Sequence, residues 1–256
     1  MVASKRKDHP RMGVRKIYFL IKDEMERVRI KKGRDALFDL MASEDMLVQR
    51  RKRKHITTNS NHWYRKYPNL IKGMMPDGPN QIWVSDITYI STKKDFLYLF
   101  LITDAYSKKI LGYRLANNLD SFHAVNSLQD AIKNTCHPIS GLIHHSDRGI
   151  QYCSKEYIDM LNKHGILISM TENSDPLENA IAERMNGILK DEYLNDEINR
   201  SGDLNKEKLI KVIEKYNNLR PHLSCNMLTP EIAHVTVGSL KRNWKNYYRK
   251  TVKLDE

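Results

Sequence analysis

Apolar residues recur along the first fifty positions at helical spacing. Val14, Ile17, Tyr18, Ile21 and Met25 stand at i, i+3, i+4, i+7 and i+11, which lays one stripe along a helix. Lys31, Lys32 and Gly33 break the pattern, and Ala36, Leu37, Leu40 and Met41 begin a second short stripe. Residues 12–50 are therefore predicted to form two helices about a Gly-containing turn, the outline of a helix-turn-helix or of any helical hairpin. After Pro76, Gly78 and Pro79 the texture changes from stripes to runs. Segments 81–90 (QIWVSDITYI), 96–103 (FLYLFLIT) and 110–115 are predicted as strands, the last two joined by a turn at Asp104-Ala105-Tyr106-Ser107. A helix is expected at 121–133, a short strand at 141–145, a helix near 154–163, a strand at 167–170 and a long helix over 179–194. Adjacent strands followed by alternating helix and strand imply a mixed α/β sheet with helices packed on it.

Charge divides the chain in the same place. The net charge is +12, and residues 1–80 hold 20 lysines and arginines against 9 acids, whereas residues 81–256 are nearly balanced at 23 against 22. A near-neutral body carrying a basic first third fits a nucleic-acid-binding segment, or a merely solvated one. Arg50, Arg51, Lys52, Arg53 and Lys54 are consecutive cations, followed by Trp63, Tyr64 and Tyr67 interleaved with Arg65 and Lys66. Cations neutralise phosphates and rings stack on bases; the alternative is a linker whose aromatics pack on the main domain. The three cysteines are scattered with no Cys-x-x-Cys pair, which excludes a disulfide framework and a zinc knuckle and fits a reducing compartment. No apolar run approaches the ~20 residues that span a bilayer. With no signal peptide evident, a cytoplasmic protein without a membrane role is expected.

Certain acids sit where turn chemistry does not explain them. Asp86 falls within the most hydrophobic strand segment and shares a face with Ile82, Val84, Thr88 and Ile90. A buried carboxylate needs a cation, a hydrogen-bond network or a metal. Asp147 follows a short apolar strand, at the kind of strand end where open sheets place their sites. On the long helix, Asn179, Glu183, Asn186 and Lys190 form a polar stripe opposite Ile181, Met185 and Ile188. Taken singly, each acid is better read as part of a solvated face. Three carboxylates brought together would suit two Mg²⁺ ions, which can activate a hydroxyl and stabilise a leaving oxygen at phosphorus.

Together these residues resemble a known family. Asp147 and Glu183 are separated by 35 residues, with Asp86 upstream and Lys190 seven positions beyond the glutamate. This is similar to the Asp, Asp, 35, Glu signature of integrase-core transposases of bacterial insertion sequences and of retroviral integrases. The words Trp83-Val84-Ser85-Asp86-Ile87-Thr88-Tyr89, His145-Ser146-Asp147-Arg148-Gly149 with Gln151-Tyr152, Glu178-Asn179-Ala180, Tyr216-Asn217 with Arg220-Pro221-His222, and Thr229-Pro230 resemble the group encoded in two overlapping frames. The resemblance implies a ribonuclease H-like, mixed five-stranded sheet flanked by helices, with a small helical N-terminal domain. It divides the chain into a helix-turn-helix-like basic region at 1–55, a basic and aromatic linker at 56–79, the catalytic core at 80–240 and a basic tail at 241–256.

The same resemblance implies catalysis and metal ligation by Asp86, Asp147 and Glu183, with a pair of Mg²⁺ or Mn²⁺ ions as cofactor. The reaction would be cleavage at an element end followed by strand transfer, in a bacterial cytoplasm at the nucleoid. Implied partners are terminal inverted repeats, target DNA, further copies of the chain and the first-frame product, beside it or fused by frameshifting. Lys190 and residues 50–54 would contact DNA, and His145 and Asn179 would support the site. Two other readings compete: a non-catalytic DNA-binding repressor or inhibitor, and another ribonuclease H-like nuclease. For the remaining conspicuous residues, Asp104 is expected to bond backbone in its turn, His145 to orient and His144 to pack. Arg220 and His222 either touch DNA or staple the C-terminal segment.

Overall fold

The computed structural model describes residues 1–48, 63–93, 96–135, 138–172, 176–241 and 243. The cation run Arg50, Arg51, Lys52, Arg53 and Lys54 and all but 241 and 243 of the expected tail lie outside them. The N-terminal part holds three helices, α1 (Val2–Asp8), α2 (Val14–Arg27) and α3 (Arg34–Ser43). The predicted stripe becomes its core: Val14, Ile17, Ile21 and Met25 of α2 are buried with Met12, Leu37 and Met41. Helix α1, which shows no apolar period, was not expected.

The main body is a five-stranded sheet in the order β3-β2-β1-β4-β5, made of β1 (Ile82–Ser91), β2 (Phe96–Asp104), β3 (Ile110–Ala116), β4 (Ile143–Ser146) and β5 (Leu167–Met170). The first three strands form an antiparallel meander, and β4 and β5 join β1 in parallel. Parallel neighbours need crossovers, supplied by α4 (Ser121–Lys133) before β4 and by α5 (Ile150–Cys153) and α6 (Lys155–Lys163) before β5. Every predicted strand is present, with no end moved by more than two residues.

Both faces of the sheet are covered, which is why β1 and β2 read as apolar runs rather than as alternations. One face carries Trp83, Phe100 and Ile102 and packs with residues of α4 and α6 such as Leu128, Tyr157 and Leu161. Gly112 of β3 lets α4 approach closely, since a Cβ there would collide with the Ser127 carbonyl. On the other face, Ile90, Leu99 and Leu101 lie under α7 (Ala180–Leu189) and α9 (Lys206–Leu219), with Met185, Ile188, Leu209, Ile213 and Tyr216 in the same cluster.

The expected single helix over 179–194 is corrected. A 3-10 turn, Pro176–Asn179, leads into α7, which widens into a π-turn at Lys190–Leu194 before α8 (Asn195–Ser201). Its wide hydrogen bond runs from the Asn195 N–H to the Lys190 carbonyl. The turn sets Glu192 and Tyr193 inward: Tyr193 is buried, and the Arg220 guanidinium grips Glu192 through Nε–Oε2 at 2.8 Å and Nη2–Oε1 at 2.7 Å.

Arg220 is 1% exposed, its Nη1 donates to His222 Nε2 at 2.8 Å, and the Tyr216 hydroxyl lies 2.8 Å from the same nitrogen. These residues staple the end of α9 to the π-turn rather than offering a surface to DNA. Asp104 is likewise structural. Its carboxylate accepts from Ser107 N–H (2.7 Å), Ser107 Oγ (2.7 Å) and Asn80 N–H (2.8 Å), and Ser107 Oγ also meets His234 Nδ1 at 3.0 Å. This Asp-Ser-His grouping is buried throughout, so it clamps helix α10 (Pro230–His234) to the β2–β3 turn.

The segment before β1 also docks. Tyr64 and Tyr67 pack against the sheet, Leu70 N–H donates to Ser169 Oγ at 2.9 Å and Met170 N–H to the Pro68 carbonyl at 3.2 Å. Only Trp63 of that aromatic group stands out, 87% exposed and stacked on Tyr64. Among the described residues no helix is long and apolar enough to cross a membrane.

Candidate active site

The two aspartates are set by strand register. Val84 pairs with His145 across the parallel β1–β4 ladder. Asp86 lies two residues beyond Val84 on β1 and Asp147 two residues beyond His145, and the Asp147 charge is felt at Asp86. Asp147 lies just past the end of β4, where the chain turns: its Oδ1 accepts from Gly149 N–H at 3.0 Å. A Cβ on Gly149 would sit 3.0 Å from that oxygen, so glycine leaves room for the carboxylate to fold over the turn.

Helix α7 crosses the same face, and the polar stripe seen in the sequence is its contact with β1. Asn179 Nδ2 donates to the Ser85 carbonyl at 3.0 Å, Asn186 Nδ2 to Asp86 Oδ2 at 2.7 Å, and Lys190 Nζ to Thr88 Oγ1 at 3.2 Å. Glu183 stands between Asn179 and Asn186 on that stripe, exposed to solvent, and its charge is felt at Asp86. Asp86 and the stripe that carries Glu183 therefore meet on the α7 side of the sheet, and the Asp147 charge reaches Asp86 as well. They are neighbours coupled through space and not a closed cage; among the described residues no three of His, Cys, Asp and Glu are already gathered tightly around a metal-sized point.

The electrostatics of Asp86 follow from this crowding. Burial raises its pKa, the Asp147 charge adds to the effect and Glu183 adds a little more; the bonds from Asn186 and from Ile87 N–H (2.9 Å) oppose them, leaving it at about 7. Two further carboxylates beside a strand carboxylate are unfavourable alone and suited to a hard cation, because Mg²⁺ and Mn²⁺ take carboxylate oxygens and the added charge reverses the conflict. By donor chemistry the residues fit divalent ions.

A carboxyl whose folded pKa is raised favours folding while protonated and loses that contribution as pH rises through about 7. In chelator, Asp86→Asn should match the wild type near pH 4 and be more stable at pH 8. The difference is on the order of 1–3 kcal/mol once discounted for partial exposure. Urea unfolding at the two pH values reads it; a variant less stable at pH 8 would mean the carboxylates do not oppose one another.

The supporting residues separate. His145, level with Val84, places Nδ1 2.8 Å from Ser169 Oγ, and burial lowers its pKa to about 4, so it orients as a neutral ring. His144 does more than pack. On the opposite face its Nε2 meets Ser85 Oγ at 2.7 Å and the Tyr157 hydroxyl at 2.8 Å, and burial lowers its pKa to about 3. That network fixes the backbone immediately before Asp86.

Asn186, the residue bonded to Asp86, received no role from the sequence beyond membership of the stripe. Its position three residues after Glu183 was the available signal. Tyr152 is a second addition. Its phenol is buried, and burial together with the Asp86 and Asp147 charges pushes its pKa well above the usual value. A groove of about 410 Å³ between α4 and α6, lined by Lys133, Glu156 and Lys163 among others, lies against the other face and shares nothing with these groups.

Comparison with known proteins agrees with this architecture. Integrase core domain models match residues 76–176 and 164–230. The insertion element IS600 31 kDa protein of Shigella sonnei is 33% identical over 204 residues, 77% of this chain and 73% of that one. The transposase for insertion sequence element IS629 of Shigella sonnei is 31% identical over 183 residues, 72% of this chain and 60% of that one. The IS904 transposase of Lactococcus lactis is 33% identical over 169 residues, 64% of this chain and 65% of that one. The chain thus spans under two thirds of the length of the latter two relatives.

Among solved structures, the magnesium complex of the HTLV-2 integrase catalytic core domain superposes with a TM-score of 0.51 at 22% identity, covering 61% of this chain and 97% of that one. A simian T-cell lymphotropic virus intasome chain gives 0.57 at 19%, covering 100% and 81%. The fold is the ribonuclease H-like fold of integrase catalytic cores.

Proposed function

The chain belongs to the integrase-core family of insertion-sequence transposases, and on that premise we propose that it cleaves the ends of a mobile DNA element and joins them to target DNA. One observation carries the reading. Asn186 bonds Asp86 and so ties the helix of Glu183 to β1, and the charges of both Asp147 and Glu183 are felt at Asp86.

In the first step water attacks the phosphodiester at an element end: a new P–O bond forms, the bond to the 3′ oxygen breaks, and a 3′-OH is released. In the second step that hydroxyl attacks a target phosphodiester, exchanging one P–O bond for another without an external energy source. A pair of Mg²⁺ or Mn²⁺ ions held by Asp86, Asp147 and Glu183 would supply Lewis-acid activation of the attacking oxygen and charge neutralisation at the leaving one. The chain's own residues do the positioning. Asn186 holds Asp86 through Oδ2, Ile87 N–H holds its Oδ1, and Gly149 N–H holds Asp147. Lys190, at the far end of the stripe, brings a cation within reach of a backbone phosphate once it leaves Thr88.

DNA binding by the basic N-terminal third, by Arg50, Arg51, Lys52, Arg53 and Lys54 in particular, and assembly of several copies on two ends belong to the same proposal. So does cooperation with the first-frame product. Labelled element ends incubated with target DNA and Mg²⁺, with the chain alone and with the first-frame product, test it. Joined products in either arm are expected, whereas binding without joining in both would favour a non-catalytic repressor.

A further inference from the structure

The N-terminal helices and the catalytic sheet keep separate apolar cores. They meet through polar groups, and two of those contacts fall on consecutive residues of the π-turn. Lys16 Nζ of α2 lies 3.3 Å from Glu192 Oε1, with side chains only 11% and 14% exposed. His9 Nδ1 lies 2.8 Å from the Tyr193 hydroxyl, and both residues are buried. A third contact, Lys215 Nζ to Asp8 Oδ1 at 3.1 Å, is exposed and touches α9 instead.

The π-turn is the continuation of α7. Its wide hydrogen bond ends on Lys190, whose side chain bonds Thr88 of β1. Glu192, nine residues after Glu183, is held by Arg220 and Lys16, while the stripe that carries Glu183 faces β1. Helix α7 is therefore gripped from two sides: by β1 through Asn179, Asn186 and Lys190, and by the N-terminal helices through Glu192 and Tyr193. Single π-turns are uncommon, and one persists where surrounding contacts hold it. Arg220 anchors Glu192 from the core, and Lys16 and His9 complete the grip from the N-terminal side.

We propose that Lys16 and His9 are positioning residues for strand transfer: by fixing the π-turn they set the azimuth of α7, and with it the reach of Glu183 toward Asp86. This rests on the transposase reading for its catalytic consequence and on geometry alone for the coupling. The basic N-terminal segment is then part of the active site's frame as well as a handle for DNA.

The test uses the full chain with four proteins: wild type, a His9→Phe/Lys16→Met double variant, Lys16→Arg, and Lys215→Met as a control at the same interface. Two quantities are read, kcat and KM for element-end DNA in Mg²⁺, and amide hydrogen exchange across α7. The double variant should lower kcat about tenfold with KM within about twofold, as expected for a misplaced rather than a missing group, and should speed exchange in α7. Lys16→Arg should keep both values near wild type, and Lys215→Met should change neither. A loss confined to KM, an unchanged α7 exchange in the double variant, or an equal effect of Lys215→Met would overturn the proposal. If the wild type joins no DNA either alone or with the first-frame product, the transposase reading fails, and the exchange comparison decides the coupling by itself.

Discussion

Asp86→Asn, Asp147→Asn and Glu183→Gln are each expected to lower strand transfer by at least ~10³-fold, because several kcal/mol of charge stabilisation at phosphorus depend on the metal pair that these oxygens would hold. Each change is nearly isosteric. Asn at 86 can still accept from Asn186 Nδ2, and Asn at 147 can still accept from Gly149 N–H, so local structure should persist. Binding of element ends should stay within about threefold, since phosphate contacts by Lys and Arg dominate affinity and the removed charges are negative. The three effects should not add, because a metal site missing one ligand is already disabled. A variant that joined DNA at the wild-type rate in Mg²⁺ would remove that residue from the site.

The largest stability effect is expected at Glu192. Arg220 is 1% exposed and meets the Glu192 carboxylate through two hydrogen bonds, with Lys16 on the same oxygen as Arg220 Nη2. Glu192→Ala leaves the buried guanidinium without its counter-charge, a loss of about 3–5 kcal/mol, a large share of the 5–15 kcal/mol that typically separates folded from unfolded chains. Glu192→Gln, which keeps hydrogen-bond acceptance but not charge, should lose less.

The pH dependence distinguishes the charge from the packing. Burial pushes the Glu192 carboxyl up, but the Arg220 charge and hydrogen bonds, with help from Lys16, outweigh it and hold the pKa at about 2. A depressed carboxyl pKa contributes stability that is present above the unfolded value of 4.5 and lost as pH falls toward 2. The wild type should thus lose roughly 3 kcal/mol more than Glu192→Ala over that window. Denaturant unfolding at pH 6 and pH 3 should show about 2 kcal/mol of this difference; equal losses in the two proteins would return Glu192 to an ordinary surface acid.

How much of this was legible depended on the range of the interaction involved. The strands were readable because burial on both faces writes a continuous apolar run. Asp86 was conspicuous because it interrupts the strongest of these runs. The stripe Asn179, Glu183, Asn186 and Lys190 was readable from helical period alone, and three of its members do bond β1. Identifying which strand it lies on required the fold. The same limit hid the Lys16–Glu192 contact, made across 176 positions, and the burial of Arg220 and His222, whose composition suits DNA as well as it suits a staple. The π-turn was invisible because its cause lies in those distant partners and not in local propensity. Tyr64 and Tyr67 illustrate the converse: interleaved with cations they suggest stacking on bases, yet they pack on the sheet.

The account as a whole depends on three oxygen-bearing side chains holding divalent ions on the α7 face of the sheet. Diffraction at the manganese absorption edge from the chain bound to element-end DNA and Mn²⁺ addresses this directly. Anomalous peaks are expected about 2.1 Å from carboxylate oxygens of Asp86 and Asp147, with a second ion ~3.5–4 Å away reached by Glu183. Saturating Mn²⁺ that left this face empty, or that settled where Glu183 cannot reach, would contradict the claim.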